Sequence, residues 1–340
     1  MKKVKLVLLG ALGAVGQEML KVLEERDFPI ENLRLLEHKK FAGTKIKFKG
    51  LEYTVEETKE DSFNGSDITL IAVGESISEH YMPFIKKSGS IAIDNSSAFR
   101  LNPDVPLIIP EINPEEVFNH KGIISNPNCS TIIGLVAINS LNKYAHVKRM
   151  IVSTYQAVSG AGAEGINELK NGIMADLNDE AFEPEIFNHE IAFNVIPHID
   201  KALENGYTKE EMKMFHEGRK ILKNDKLMVN CTCVRVPVIR SHSESITIET
   251  EKEITVEKAR ELLMNSPGVK LVDDLANGKY PMPKDTSNQD LVYVGRIRRD
   301  ISSNGLNSLT LWCCGDQIRK GAATNAVQIA ELILEKGLIP

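Results

Sequence analysis

Cysteine is scarce in this 340-residue chain: there are five, an odd number. A disulfide framework is not expected, because such scaffolds are short chains with paired, regularly spaced cysteines. The chain also lacks any apolar stretch approaching the roughly 20 residues that span a membrane, and its first apolar run is too short for a signal peptide. We therefore expect a cytoplasmic protein with no membrane partner.

Positive charge is not in excess. The formal net charge of −6 gives no reason to expect nucleic acid or an anionic membrane surface as a partner. Hydrophobic residues at 42% and charged residues at 26% are ordinary for a globular protein with an ample core. The sequence contains no internal repeat and no low-complexity segment, and its length favours two domains.

The spacing of a zinc site is also missing. Cys231 and Cys233 form one close pair and Cys313 and Cys314 another, and neither pair has a histidine close by. Both pairs lie in β-like runs, where free cysteine is usually a small buried core residue. We expect structural cysteines here and no metal.

The first residues have the pattern of a phosphate-binding βα unit. The apolar run Val4–Leu9 is typical of a strand buried on both faces of a parallel sheet, and apolar residues at helical spacing follow it. A G-x-x-G-x-x-G turn joins the two and would let the backbone approach a pyrophosphate, although a plain tight turn is the alternative. The candidate cofactor contacts here are Gly10, Leu12, Gly13, Ala14, Val15 and Gly16.

Signals after the second predicted strand conflict about the cofactor. Glu37 lies where an acid would bond a free ribose 2′-hydroxyl, as in NAD-binding proteins. Lys39 and Lys40 follow at once, and cations there suit a 2′-phosphate. A solvated basic loop without cofactor contacts is nearly as compatible with this segment.

Cys129 is predicted at the start of a helix. Predicted strands at residues 68–73, 90–94 and 122–125 indicate a doubly wound sheet, and Asn95 and Cys129 fall at the carboxyl ends where ligands collect. Pro127 disfavours an earlier helix start. A thiol in the first helical turn is favoured as thiolate, yet a small buried residue fits this position equally well.

From residue 147 the pattern changes to long β runs, at residues 148–155, 228–238, 245–250, 290–299 and 308–314. Thr208 and Glu211 have the spacing of a capping box, and a final helix is predicted over residues 321–334. The expected fold is α/β: a Rossmann-like doubly wound parallel sheet plus an α+β domain with a largely antiparallel sheet.

The chain closely resembles the aspartate-β-semialdehyde dehydrogenases in seven segments: residues 10–16, 97–100, 127–131, 153–162, 210–213, 233–242 and 321–325. They follow in the family's order over nearly the whole chain, and the run STYQAVSGAG at 153–162 is the most specific. The resemblance implies NADPH-dependent conversion of aspartyl phosphate to aspartate semialdehyde, on the route to lysine, threonine and methionine. It also implies a homodimer with a dinucleotide-binding domain (1–128 and 321–340) and a catalytic and dimerisation domain (129–320).

Catalytic roles follow from the resemblance. Cys129 would be the nucleophile that forms a thioester, and Gln156 would orient the substrate and acyl intermediate. His242 would be the acid–base residue, with an imidazole near its ordinary pKa. Judged by sequence alone, a lone histidine after a strand is more often a surface residue.

Substrate contacts are implied in the same way. Arg100 and Lys213 would bind phosphate, Arg235 the substrate carboxylate and Glu210 the substrate ammonium, with Asn128 also at the substrate. Structural ion pairs are the alternative for these charged residues, above all for Glu210 and Lys213, whose spacing is common on exposed helices.

The match is weakest in the cofactor region, where Leu12 replaces a usual threonine and residues 38–41 replace a Ser/Arg/Ser loop. We expect NADP, with NAD as a weaker alternative, and a weaker preference if Glu37 points inward. The implied cofactor contacts outside the glycine loop are Lys40, Phe41, Asn95, Ser159, Gly160 and Asn325.

Two other functions are compatible with the residues. A reductase of the same architecture for N-acetylglutamyl phosphate would leave Glu210 without an ammonium partner, because the nitrogen of that substrate is an amide. A non-catalytic dinucleotide-binding paralogue would be expected to lack Cys129 or His242, and both are present.

Overall fold

The computed structural model describes residues 2–339, which form two compact units. The first unit consists of residues up to Asn128 and from Ala322 onward, and the second is Cys129–Gly321. No helix in the described part of the chain is long and apolar enough to cross a membrane.

The described residues contain eight α-helices and thirteen strands. The helices are α1 Ala14–Glu25, α2 Glu75–Ser88, α3 Cys129–Ala145, α4 Gly162–Leu177, α5 Lys209–Leu222, α6 Val256–Met264, α7 Pro283–Thr286 and α8 Thr324–Glu335. The strands are β1 Val4–Leu9, β2 Ile30–Glu37, β3 Lys45–Phe48, β4 Leu51–Glu57, β5 Ile68–Ile71, β6 Ile91–Asp94, β7 Ile123–Ser125, β8 Val147–Ala157, β9 Met228–Val236, β10 His242–Thr250, β11 Val269–Leu271, β12 Val292–Arg299 and β13 Ser308–Gly315.

The first unit is built on a seven-stranded sheet in the order β3-β4-β2-β1-β5-β6-β7. All its pairings are parallel except the β3–β4 hairpin, which the sequence did not predict. Successive β1 side chains enter opposite cores: Leu6 and Leu8 pack with α1 and α8, and Val7 and Leu9 pack with α2. Helices on both faces confirm the predicted doubly wound, Rossmann-like sheet.

The second unit is built on a six-stranded sheet in the order β11-β12-β13-β10-β8-β9. The three central pairings are antiparallel, as expected, and the pairing at each edge is parallel. Helices α3, α5 and α6 pack on this sheet, and α3 crosses β8, β10, β12 and β13. Because α3 is buried on nearly all sides, it forms the centre of this core and holds its first residue in place.

Candidate active site

Cys129 is the first residue of α3, as predicted, and its side chain is half-buried. Gly321 lies against it, since a Cβ at Gly321 would come within 2.9 Å of the Cys129 Cβ. Asn128, which precedes it, is buried. None of the five cysteines forms a disulfide, and the pairs assigned to the core are buried in β9 and β13.

Three of the predicted site residues form one cross-strand row on the helix-covered face of the second sheet. Gln156 of β8 is paired with Arg235 of β9. His242 of β10 lies beside Gln156 on the other side, with 3.5 Å between its Nε2 and the Gln156 Nε2. Because side chains alternate along a strand, the register of three strands brings these residues together.

His242 differs from expectation in two respects. It is the first residue of β10 and fully buried, whereas the strand was predicted from Ser245 and a surface position was the alternative. Burial and the charge of Arg235 lower its pKa to about 3, whereas the sequence led us to expect a pKa near the ordinary value. The ligand-free imidazole is therefore neutral at pH 7. Its Nδ1 accepts a hydrogen bond from the Ala157 N–H at 3.0 Å, which places the ring proton on Nε2.

Gln156 is held at both ends of its amide. Its Oε1 accepts from the Thr154 hydroxyl at 3.0 Å, and its Nε2 donates to Glu210 Oε1 at 3.1 Å. The Gln156 Nε2 and the protonated His242 Nε2 are therefore both donors, and two donors cannot bond to each other. Together they suit one shared acceptor, such as the oxygen of an acyl group.

Arg235 is buried, and its Nη1 donates to the Ala157 carbonyl at 2.7 Å. Burial lowers its pKa, and the nearby charges of Glu210 and Cys129 oppose that effect. Gly160 leaves room for the guanidinium, because a Cβ at this position would lie 2.7 Å from the Arg235 Nη1. A buried guanidinium near a cysteine is suited to holding a carboxylate.

Lys213 lies between two carboxylates. Its Nζ donates to Glu210 Oε2 at 2.8 Å and to Asp200 Oδ2 at 3.0 Å. Burial acts against the charged form, but the two carboxylates outweigh it and raise the pKa of Lys213 above its ordinary value. Glu210 is itself buried, so this is not the exposed helical pair of the alternative interpretation. The capping box of Thr208 and Glu211, with both of its hydrogen bonds present, confirms the predicted start of this helix.

Gln317, which the sequence did not single out, connects two parts of this unit. Its Nε2 donates to the hydroxyl of Ser159, and its Oε1 accepts from the Ser241 N–H at 2.8 Å. Ser241 has a φ of 74° and immediately precedes His242. The left-handed backbone at a non-glycine residue costs energy, so this contact helps to hold the start of β10.

The first unit contains the predicted glycine turn between β1 and α1. Gly10 has a φ of 89°, and a Cβ there would lie 2.5 Å from the Ala72 carbonyl oxygen. A Cβ at Gly16 would overlap the Gly10 carbonyl oxygen. Gly13 precedes α1 without a side-chain cap, which leaves backbone N–H groups of the first turn for a ligand.

Glu37 points inward, toward this turn. Its Oε1 accepts from the Leu12 N–H at 3.0 Å, and its Oε2 accepts from the His38 N–H at 3.2 Å. A cavity of about 270 Å³ lies beside it, lined by Glu37, Val73, Ile77 and Tyr81 among others. Lys39 and Lys40 lie on an exposed 3₁₀ turn, with the Lys40 Nζ 4.6 Å from the centre of the Phe41 ring.

Three asparagines form a chain at the carboxyl end of the first sheet. Asn126 Nδ2 donates to Asn95 Oδ1 at 2.8 Å, and Asn126 Oδ1 accepts from Asn325 Nδ2 at 2.6 Å. The buried Arg100 donates to the backbone oxygens of Asn126 and Asn95, at 2.9 and 2.7 Å. The sequence analysis did not single out Asn126, although it belongs to the same motif as Cys129 and directly follows β7.

Comparisons with known proteins agree with this architecture. Residues 5–120 match the family model described as semialdehyde dehydrogenase, NAD binding domain, and residues 138–320 match semialdehyde dehydrogenase, dimerisation domain. The chain is 52% identical over 340 residues to the aspartate-semialdehyde dehydrogenase of Aquifex aeolicus, covering 98% of this chain and 99% of that protein. It is 50% identical to that of Campylobacter jejuni, with 98% of each covered.

A solved structure extends the comparison. The crystal structure of aspartate semialdehyde dehydrogenase II from Vibrio cholerae, complexed with ASA, matches with a TM-score of 0.95 and 41% identity. The match covers 98% of this chain and 99% of that one. The chain therefore belongs to the aspartate-semialdehyde dehydrogenase family.

Proposed function

We propose that this chain catalyses the reductive dephosphorylation of L-4-aspartyl phosphate to L-aspartate 4-semialdehyde, through a thioester on Cys129. The observation that carries the proposal is the cross-strand row, in which Arg235, Gln156 and His242 lie side by side. Arg235 is suited to the substrate carboxylate and the two Nε2–H donors to its acyl oxygen. The buried Glu210 supplies the negative charge that an amino-acid substrate requires for its ammonium group.

The chemistry begins with Cys129. Its sulfur attacks the acyl carbon, the carbon–oxygen bond to phosphate breaks, and phosphate leaves with the bonding electrons. A reduced nicotinamide, when bound, would supply the hydride for reduction of the thioester carbonyl carbon. The oxyanion formed at that carbon is stabilised by the Gln156 and His242 donors before it expels the Cys129 thiolate and leaves the aldehyde.

Phosphate binding is assigned to Arg100 and Lys213. Lys213 is already bonded to Glu210 and Asp200, so an incoming phosphate or substrate ammonium exchanges partners within this cluster. The substrate ammonium would replace Lys213 on the Glu210 carboxylate and free the Lys213 Nζ for phosphate. Arg100, anchored on the backbone of Asn95 and Asn126, has less freedom to move.

The described residues of the first unit fit a nicotinamide dinucleotide. Gly10 and Gly16 let the backbone approach a pyrophosphate, and the cavity beside Glu37 has apolar walls suited to adenine. We propose NADP with appreciable NAD activity. Lys39 and Lys40 attract a 2′-phosphate, and the inward Glu37 carboxylate offsets part of their charge, which makes the preference weak.

We also propose that the chain acts as a homodimer in the cytoplasm. The sheet face opposite α3 exposes Ile151, Tyr155 and Met228 at 37%, 39% and 50%, an apolar surface suited to a second copy. A Tyr155→Glu variant should sediment as a monomer if this face forms the dimer. The reduced cysteines suit a reducing compartment.

The function is tested by phosphate-dependent oxidation of aspartate semialdehyde, with NADP and NAD in parallel. N-acetylglutamate semialdehyde serves as the competing substrate, since it carries no ammonium group for Glu210. Faster turnover of the acetylated substrate would assign the chain to the other reductase class, and no turnover of either would favour a non-catalytic paralogue.

A further inference from the structure

Thr154 lies directly behind the cross-strand row. It is two positions before Gln156 on β8, and because alternate residues of a strand share a face, both side chains point toward α3 and α5. Thr154 is fully buried, and its Oγ1 lies 3.0 Å from Gln156 Oε1. Its cross-strand neighbours are Glu244 of β10 and Cys233 of β9.

Two contacts together set which way the Gln156 amide points. An amide oxygen only accepts and an amide nitrogen only donates. The Thr154 hydroxyl could serve either end, and with the oxygen on its side it donates to that oxygen. The nitrogen is then turned toward Glu210 Oε1 at 3.1 Å, the partner that an anionic carboxylate requires. In the flipped amide, Gln156 Oε1 would face the Glu210 carboxylate and two acceptors would repel each other.

The orientation of the amide matters for the row as a whole. The Ala157 N–H holds His242 with its proton on Nε2, so His242 presents a donor toward the same space as the Gln156 nitrogen, 3.5 Å away. A flipped Gln156 would instead present its oxygen to that His242 proton and bond to it. The donor pair would be lost, because each group would satisfy the other.

We propose that Thr154 is a positioning residue for the reaction: its hydroxyl bonds the Gln156 amide oxygen and, together with Glu210, holds the amide with its nitrogen toward the acyl oxygen. This inference rests on the proposed function of the chain. Thr154 itself touches neither substrate nor cofactor. Its effect should therefore appear in kcat, where the charge on the acyl oxygen develops, and much less in the KM of either substrate.

Thr154→Val, which matches threonine in shape but lacks the hydroxyl, should lower kcat by about tenfold with KM within about twofold of wild type, on the scale of one misplaced hydrogen bond. Thr154→Ser keeps a hydroxyl and should remain within about threefold of wild type. The matched control is Thr69→Val in the first unit, where a buried strand threonine bonds the Ser90 hydroxyl at 2.8 Å. This control should leave kcat unchanged.

The decisive measurement is a double-mutant cycle with Gln156→Ala. In the Gln156→Ala background, adding Thr154→Val should lower kcat by no more than about twofold. An equal loss in both backgrounds would mean that Thr154 only supports the fold, and the inference would be wrong. A Thr154→Val enzyme with wild-type kcat, or a Thr154→Ser enzyme as slow as Thr154→Val, would also overturn it.

Two safeguards keep the outcome unambiguous. Thr154→Ala also lacks the hydroxyl and fills less space, so it is the fallback if Thr154→Val does not fold. It should then show the same loss of kcat. A wild-type kcat in Thr154→Ala would overturn the inference. The wild-type assay distinguishes a failure of the proposed function from a failure of the role proposed for Thr154. A wild-type chain without turnover contradicts the proposed function, whereas an active wild type with an unaffected Thr154 series contradicts only the role of Thr154.

Discussion

The N–H of Ala157 donates to Nδ1 of His242 across 3.0 Å, joining the end of β8 to the start of β10. A backbone donor cannot lose its proton at ordinary pH, so this contact accepts only the tautomer with hydrogen on Nε2. With its pKa lowered to about 3, first by burial and then by the charge of Arg235, His242 is an uncharged donor in the ligand-free chain. The negative charge of a bound substrate or phosphate would raise this pKa back toward the range in which the ring can exchange protons.

Replacing Cys129 by serine should abolish turnover and leave NADPH binding nearly intact. The reason is that a neutral hydroxyl at this helix start lacks the reactivity of a thiolate, while the cofactor-binding residues proposed in the first unit are unchanged. Stopped-flow turnover and fluorescence titration with NADPH measure the two properties. Cys231→Ser, at a buried cysteine of β9, is the control that should remain active. Substantial turnover by Cys129→Ser, or no acyl adduct by intact mass on wild type without hydride donor, would contradict the thioester.

Arg235→Lys should lower kcat/KM by roughly a hundredfold or more, on the scale of losing a charge-assisted hydrogen bond. Lysine keeps the charge but lacks the planar guanidinium, which bonds the Ala157 carbonyl and would also bond the substrate carboxylate in the proposed function. Steady-state kinetics with varied aspartate semialdehyde give the value. Arg26→Lys, at the ion pair with Glu331 in the first unit, is the matched control and should have little effect. An Arg235→Lys enzyme within about threefold of wild type would indicate a structural ion pair instead.

Lys40→Ala should raise the KM for NADP several-fold and leave the KM for NAD nearly unchanged. Only NADP carries the 2′-phosphate that this exposed cation can attract, and the charge is screened by salt, so the effect should shrink at high ionic strength. Initial rates with both cofactors, with Lys47→Ala as the control on a neighbouring strand, provide the comparison. A wild-type preference for NAD, or equal losses for both cofactors, would show that Lys40 does not recognise the phosphate.

Glu244→Gln should be more stable than wild type near pH 8, and its free energy of unfolding should depend less on pH. Glu244 is fully buried, and neither of its carboxyl oxygens has a hydrogen-bond partner among the described residues. Burial, and then the charge of Glu210, raises its pKa well above 4.5. A raised pKa in the folded state gives stability that is present below 4.5 and is lost as pH rises toward the folded value.

Urea unfolding of wild type and Glu244→Gln at several values between pH 5 and pH 8 tests this. The difference between their unfolding free energies should change by up to about 1.4 kcal/mol per pH unit while only the unfolded carboxyl is ionised. Glu204→Gln, at an exposed glutamate, is the control and should parallel wild type. Parallel curves for Glu244→Gln and wild type would mean that Glu244 is ionised in the folded chain.

Local patterns were sufficient where the determinants are close in sequence. Pro127 and the apolar spacing after it predicted that α3 begins at Cys129, and the capping box predicted α5. The contact of Thr154 with Gln156 could also have been found from the two-residue period of a strand. The sequence carries no chemical signal for Thr154, because threonine is an ordinary structural residue in a strand.

Long-range contacts explain the rest. β10 begins at His242 because Ser241 takes a left-handed conformation held by Gln317, which is 76 residues away in sequence. The low pKa of His242 likewise depends on burial, and then on the charge of Arg235, and no local sequence pattern reports either. The sequence permits two orientations of Glu37, and only its hydrogen bond to the Leu12 N–H identifies the inward one.

The position of α8 has a consequence for how the chain is made. Its residues complete the core beside α1, and Glu331 pairs with Arg26, so the first unit needs a segment that is synthesised after all of the second. On the ribosome, Cys129–Gly321 is synthesised before α8, so the apolar face of the first sheet that α8 covers is still exposed during that time. A nascent chain in that state exposes hydrophobic surface that is prone to aggregation, and chaperones bind such surfaces. Loss of the last helix would therefore be expected to impair solubility before it impairs chemistry.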